Sequence, residues 1–179
     1  MISLDGTNSK QALLNVANKM LVAARTAPKA RGVDNLLLAI AEKEAIEAIA
    51  NKMIKMAESN IVPTFFIRDA NNILSCDVMV LIGTKIKSIG LQYCGLCGYT
   101  NCEEKDKYPN HPCSMNTGDL GIAIGSAVSV AIDERVDNRI MYSVGMAVRK
   151  LEMFGKEYRI IYAIPLSCTG KNPFFDRKS

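Results

Sequence analysis

Four of the six cysteines in the chain, Cys94, Cys97, Cys102 and Cys113, fall within twenty residues. Their spacing is C-x2-C-x4-C-x10-C, and the residues between them are rich in Gly, Pro and Asn. Such a segment has too little apolar content to pack a core of its own. In a reducing compartment a tight cysteine group binds a metal or does chemistry, because cellular thiols open ordinary disulfides. Residues 90–117 are therefore expected to form a loop that is inserted into the fold and ordered by what it binds.

Iron prefers thiolate sulfur, and a cubane cluster offers four iron corners, one for each cysteine. The two residues between Cys94 and Cys97 let one turn wrap a corner. Gly95 and Gly98 let backbone amides approach the sulfides, and Pro112 stiffens the approach to Cys113. A four-cysteine zinc site uses the same donors. Zinc sites more often pair two short C-x2-C units, whereas here the second pair is spread over ten intervening residues, so iron–sulfur is the favoured reading and zinc the alternative. The one histidine, His111, leaves no supply for a histidine-rich site. His111 reads as a loop residue facing water, and Cys76 and Cys168 as small hydrophobes beside apolar strands.

The chain has 179 residues, 49% of them apolar, enough for one domain spanning 1–179 with a real core. No uninterrupted apolar run approaches the ~20 residues of a membrane span. Met1–Lys10 lacks the profile of a secretory signal, so a cytoplasmic protein is expected. The net charge of +4 comes from scattered residues, with no basic stripe interleaved with aromatics, which argues against nucleic-acid binding.

Apolar periodicity predicts helices over 8–25, 43–58, 119–135 and 138–153, the last closed by Gly155. Strands are predicted at 36–40, at 78–82 (stopped by Gly83) and at 158–166. Arg68–Leu74 is ambiguous by its pattern and reads as one helical turn. An α+β sandwich, with helices covering a small mixed sheet, is the economical architecture. The glycines of Gly118-x-x-Gly121-x-x-x-Gly125 follow no strand, so they are read as allowing close helix approach rather than as a phosphate loop.

Cys94-Gly-x-Cys97-Gly-x-x-x-Cys102, with a later cysteine, resembles the 4Fe–4S motif of corrinoid iron–sulfur proteins and electron-transport subunits. The whole chain resembles a family of prokaryotic proteins containing a ferredoxin domain, on Ala27–Asn35, Arg68–Asn71, the cysteine loop and Gly170–Arg177. Outside that loop the order of elements is similar to the FMN-dependent nitroreductase fold. Ala24–Pro28 leading through Asn35 into the 36–40 strand, and Asp119-Leu-Gly121, look like two of its segments. The resemblance implies a flavin, FMN, and a homodimer built on the helix at 119–135, with Leu120, Ile124 and Val128 on one face. The Arg-Arg-Ser-x-Arg run that holds the flavin phosphate in nitroreductases is missing from Met1–Lys10. Arg25, Lys29, Arg31 and Arg177 stand as substitutes, and solvated charges are the competing reading.

The function expected from these residues is an iron–sulfur redox protein. It would use a 4Fe–4S cluster for electron transfer to a partner protein or from a small-molecule donor, as part of a flavin-linked oxidoreductase. The alternative is a non-enzymatic binding protein whose four-cysteine loop is a structural zinc site.

Overall fold

Alternation along two strands decides the architecture. In β2 (Val78–Lys85), Val78, Val80 and Ile82 enter one apolar cluster while Met79 and Leu81 enter another. β4 (Tyr158–Ser167) divides in the same way, Ile164 and Leu166 on one side and Ile161 and Ala163 on the other. Successive strand residues face opposite sides of a sheet, so a sheet with both faces apolar needs helices on both. The computed structural model, which describes residues 5–175, has this three-layer arrangement.

On one face lie α1 (Asp5–Thr26) and α5 (Ser114–Asp133), which pack on each other over Leu13, Ala17, Met20, Leu120, Ala123 and Ala127. On the other lie α2 (Lys43–Glu58), α3 (Phe65–Leu74) and α6 (Tyr142–Lys150). The sheet order is β1–β2–β4–β3, with β1 at Leu36–Glu42 and β3 at Asp137–Asn138.

Every pairing in that sheet is antiparallel rather than mixed. Two helices, α2 and α3, separate β1 from β2. One crossover helix would return the chain parallel to β1, whereas a second reverses it again.

Four other expectations are corrected. Gly83 lies inside β2 and does not stop it, because a Cβ there would sit 3.0 Å from both Ile161 and Phe154; the missing side chain makes room for them. α3 has ten residues, not one turn. Phe66, Asp69, Ala70 and Ile73 form its buried stripe, and the Phe65-Phe66-Ile67 run hides that period. The 138–153 helix shrinks to Tyr142–Lys150, because Asp137–Asn138 pair with β4 and Met141 bridges to Ala163. It stops before Glu152, which takes a left-handed φ of 54°. Finally, 90–117 is not all loop: it holds α4 (Cys102–Asp106) and the first turn of α5.

α5 is long and apolar enough to cross a membrane by length and composition. Its Leu120, Ala123, Ile124, Ala127 and Ala131 are spent on the core beside α1. Gly118, Gly121 and Gly125 lie on the opposite, exposed side, where a Cβ would meet nothing within 4 Å. The glycines therefore do not ease the α1–α5 contact.

Candidate metal centre

The cysteine segment leaves the sheet at the end of β2, through a strap at residues 85–90. This strap has no strand partner beyond Lys85, and backbone carbonyls outside a ladder need other donors. Side chains supply them. The Asn116 amide donates to the carbonyls of Lys85 and Lys87. The Lys105 ammonium donates to Ile86 at 2.9 Å, and the Arg31 guanidinium to Ile89 and Gly90 at 3.1 Å each. Asn116, only 1% exposed, also accepts from Asn35 at 3.1 Å. The root of the segment is thus fastened to α5, to α4 and to the turn after α1.

Within the segment each cysteine has a defined place. Cys94 and Cys97 are half-buried; Cys94 precedes, and Cys97 lies within, a turn closed by the Gly98 amide on the Gly95 carbonyl. Both glycines are left-handed, at φ 66° and 84°, a conformation that residues with a Cβ rarely adopt. Cys102 is the first residue of α4. There the Asn101 side chain accepts from the Glu104 amide, while the Glu104 carboxylate accepts from the Thr100 amide at 2.7 Å. Hydrogen bonding from Thr100, the strongest influence on it, holds the Glu104 carboxyl below its usual range. This exchange resembles a capping box, displaced by one residue on the returning side. Cys113 is buried and is the N-cap of α5, where the helix dipole favours negative charge. The Ser114 hydroxyl donates to the Leu96 carbonyl at 3.0 Å and so ties the start of α5 back to the first cysteine turn.

All four of these cysteines are free thiols. Four soft sulfur donors fit an iron–sulfur cluster or zinc by chemistry. Among the described residues, however, no group of three or more His, Cys, Asp and Glu side chains is gathered closely enough to hold a metal. The cysteines share a segment without converging on one point.

An aromatic group that the sequence did not reveal braces this segment. The rings of Tyr99 and Tyr108 stack at 5.2 Å, those of Tyr108 and His111 at 5.3 Å, and the Tyr99 phenol contacts His111 Nδ1. His111 is exposed, as expected, but it is not idle. Desolvation first, then Tyr108, Cys97 and Glu104, push the Tyr99 phenol above its ordinary value.

The cations proposed for a flavin phosphate are already engaged. Arg25 pairs with Asp34 at 2.5 Å and donates to the Leu36 carbonyl. Partial burial raises the Asp34 carboxyl, but Arg25, the Leu36 amide and Lys29 outweigh it and leave the group below the usual range. Lys29 donates to the Ala24 and Arg25 carbonyls, closing the C-terminal end of α1. Arg31 holds the strap with its backbone left-handed at φ 56°. Arg177 lies outside the described residues. Of the remaining cysteines, Cys76 is buried, and Cys168 is exposed rather than a buried hydrophobe because it follows the last residue of β4.

Two further polar contacts escaped the sequence reading because they join distant segments. The Ser143 hydroxyl donates to the buried Asp69 at 2.6 Å, and Arg68 grips the other oxygen of the same carboxylate. Asp119 accepts from the Ala30 amide. In both cases the only local hint was a carboxylate on an otherwise apolar helix face.

Comparison with known proteins agrees with this architecture. A BluB-like flavoprotein from Clostridium difficile 630 superposes with a TM-score of 0.57 at 20% identity, over 100% of this chain and 85% of that one. The FMN-dependent nitroreductase NfnB from Mycobacterium smegmatis, in complex with NADPH, gives 0.61 at 8% identity, over 88% and 78%. A nitroreductase with bound FMN from Desulfitobacterium hafniense gives 0.56 at 12%, over 96% and 81%. At these identities the likeness establishes a nitroreductase-like fold. The profile of a family described as uncharacterised proteins containing a ferredoxin domain (DUF2148) matches residues 110–177, a span that includes Cys113 but not Cys94, Cys97 or Cys102. An uncharacterised protein of Archaeoglobus fulgidus is 39% identical over 166 residues, covering 88% of each chain. The family's description as containing a ferredoxin domain supports a redox role. By the extent of these matches, the chain belongs to the family of uncharacterised proteins containing a ferredoxin domain.

Proposed function

We propose that this chain is an iron–sulfur electron-transfer protein in which Cys94, Cys97, Cys102 and Cys113 ligate a 4Fe–4S cluster. The observation that carries the reading is four free thiols on one short segment, rooted by side-chain bonds to three separate elements. When bound, such a cluster supplies one-electron transfer. The chain's own contribution is to fix the segment's two ends, at the strap and at Ser114, and to leave the left-handed glycine turn between them to adjust. Cys113 is anchored by α5 and Cys102 by the capped α4, so the turn bearing Cys94 and Cys97 is the part that would close on a metal.

Protein purified without oxygen should be brown, with iron and acid-labile sulfide each at about four per chain. Alanine at Cys94, Cys97 or Cys102 should bleach it. Stoichiometric zinc without sulfide would sink the cluster and leave the structural zinc reading.

A flavin is the second component proposed, since several proteins that share this fold are described as FMN-dependent or FMN-bound. Its phosphate would be held by Arg25, Lys29, Arg31 and Arg177, competing with the internal partners that the first three now have. Titrating flavin into the parent and into Arg25→Ala/Arg31→Ala tests this, with weakening of at least roughly tenfold expected. Equal affinities would move the phosphate elsewhere.

A further inference from the structure

Beside α4, where β2 ends and β4 begins, there is an open cleft of about 480 Å³. Lys85, Lys87, Lys105 and Arg159 line it, against the carboxylates of Asp106 and Glu157. Five cations elsewhere on the described surface are held in ion pairs: Lys10 with Glu42, Lys19 with Glu134, Arg25 with Asp34, Arg68 with Asp69 and Lys156 with Glu152. Neither Lys85, Lys87 nor Arg159 forms an ion pair among the described residues. Lys85 rests over the Tyr158 ring at 4.9 Å, and Arg159 reaches only the Asn110 amide oxygen.

Lys105 is the more unusual group. It is 2% exposed, and burying an ammonium costs free energy unless its donors are used. One donor goes to the Ile86 carbonyl at 2.9 Å, and the nearest carboxylate, Asp106, stands 3.5 Å away while accepting from Ser88 at 2.6 Å. An ammonium has three donors, so this one keeps capacity for a further acceptor at the cleft wall.

We propose that this cleft binds the phosphate group of a mononucleotide-sized phosphate monoester. Four cations against two carboxylates leave an excess of two positive charges, and a phosphate monoester carries about −1.5 to −2 near neutral pH. The volume falls within the roughly 300–1,000 Å³ of small-molecule sites. Ile86 and Pro109 add apolar lining for an organic moiety. α4 forms one wall and begins with Cys102, so the ligand would sit beside the cysteine segment. The proposal does not depend on which metal that segment holds.

Calorimetric titration of the full chain, as purified, with adenosine 5′-monophosphate, inorganic phosphate and adenosine provides the test. The monophosphate should bind, inorganic phosphate more weakly, and adenosine at least roughly tenfold more weakly than the monophosphate. Lys87→Ala/Arg159→Ala should weaken the monophosphate at least roughly tenfold, as expected for the loss of two charge-assisted contacts. Lys87→Glu, a change at an exposed position that leaves the packing alone, should weaken it in the same direction. Lys55→Ala, on the exposed side of α2, should leave the affinity unchanged. Adenosine binding as tightly as its monophosphate would overturn the proposal, as would unchanged affinity in both cleft variants. So would retention by an immobilised acidic protein without any monophosphate binding, which would make the cleft a protein-docking surface.

Discussion

Asp119 accepts from a single amide through both carboxylate oxygens: the Ala30 N–H lies 3.0 Å from one and 3.1 Å from the other. Ala30 opens the short 3-10 turn at Ala30–Gly32, whose N-cap Lys29 makes no side-chain capping bond, so a residue on α5, 89 positions away, supplies the acceptor for the turn's first amide. The bond places the turn so that Arg31 can hold the strap below the cysteine segment.

Asp119→Ala should therefore cost about 1–3 kcal/mol, the penalty of leaving a part-buried amide without its charged acceptor. Urea denaturation would measure it. Proteolysis in the 85–90 strap should rise in parallel. A loss of stability with no change in strap cleavage would separate Asp119 from the strap.

Gly145 has the least room of the described glycines. A Cβ there would lie 1.7 Å from the Ile161 carbonyl oxygen and 2.5 Å from its carbon. The obstacle is backbone of the central sheet and cannot rotate away. Gly145→Ala should cost about 1–3 kcal/mol or more through forced separation of α6 from β4. Gly121→Ala, which meets nothing within 4 Å in its own chain, should leave the stability of the chain itself unchanged or slightly raised because alanine favours the helix. Thermal unfolding of the two variants side by side checks the contrast.

Cys76 and Cys168 should differ in reactivity. Burial pushes the Cys76 thiol from 9.0 up to about 11, and the thiolate is the nucleophile. Native alkylation at pH 8 followed by peptide mapping should label Cys168 and spare Cys76 until denaturant is added. A thiol whose folded pKa is raised contributes its stability in full below the unfolded value and loses it as pH climbs toward the folded one. Stability should thus fall between about pH 9 and 11, and Cys76→Ala should remove that component of the fall.

A homodimer is expected through the outward side of α5. Leu120 and Ile124, read from the sequence as interface residues, are consumed by the core within the chain. The available face instead carries Gly118, Gly121 and Gly125 with the exposed Ile122 and Ile132. Sedimentation at micromolar concentration should show a dimer, and Gly121→Glu/Gly125→Glu should shift it to monomer. A monomeric parent would count against the assembly.

Local pattern determined much of this protein. The 3.6-residue period of α1 and α2 and the unbroken apolar run of β2 are written in neighbouring residues, because a helix stripe or a doubly buried strand needs no distant information. The cysteine spacing by itself likewise specifies a thiol-rich loop. What only the tertiary structure decided are the contacts whose partners lie far apart in the chain. β3 exists because β4 offers it an edge, and Gly83 lies within a strand because Ile161 and Phe154 fill the space beside it. Arg25, Lys29 and Arg31 looked available as a cluster, but carbonyls and a carboxylate brought in by the fold had already taken them. The cleft cations Lys85, Lys105 and Arg159 looked dispersed for the converse reason: sequence separation hides the convergence of a strand end, a short helix and a strand start, which only packing produces.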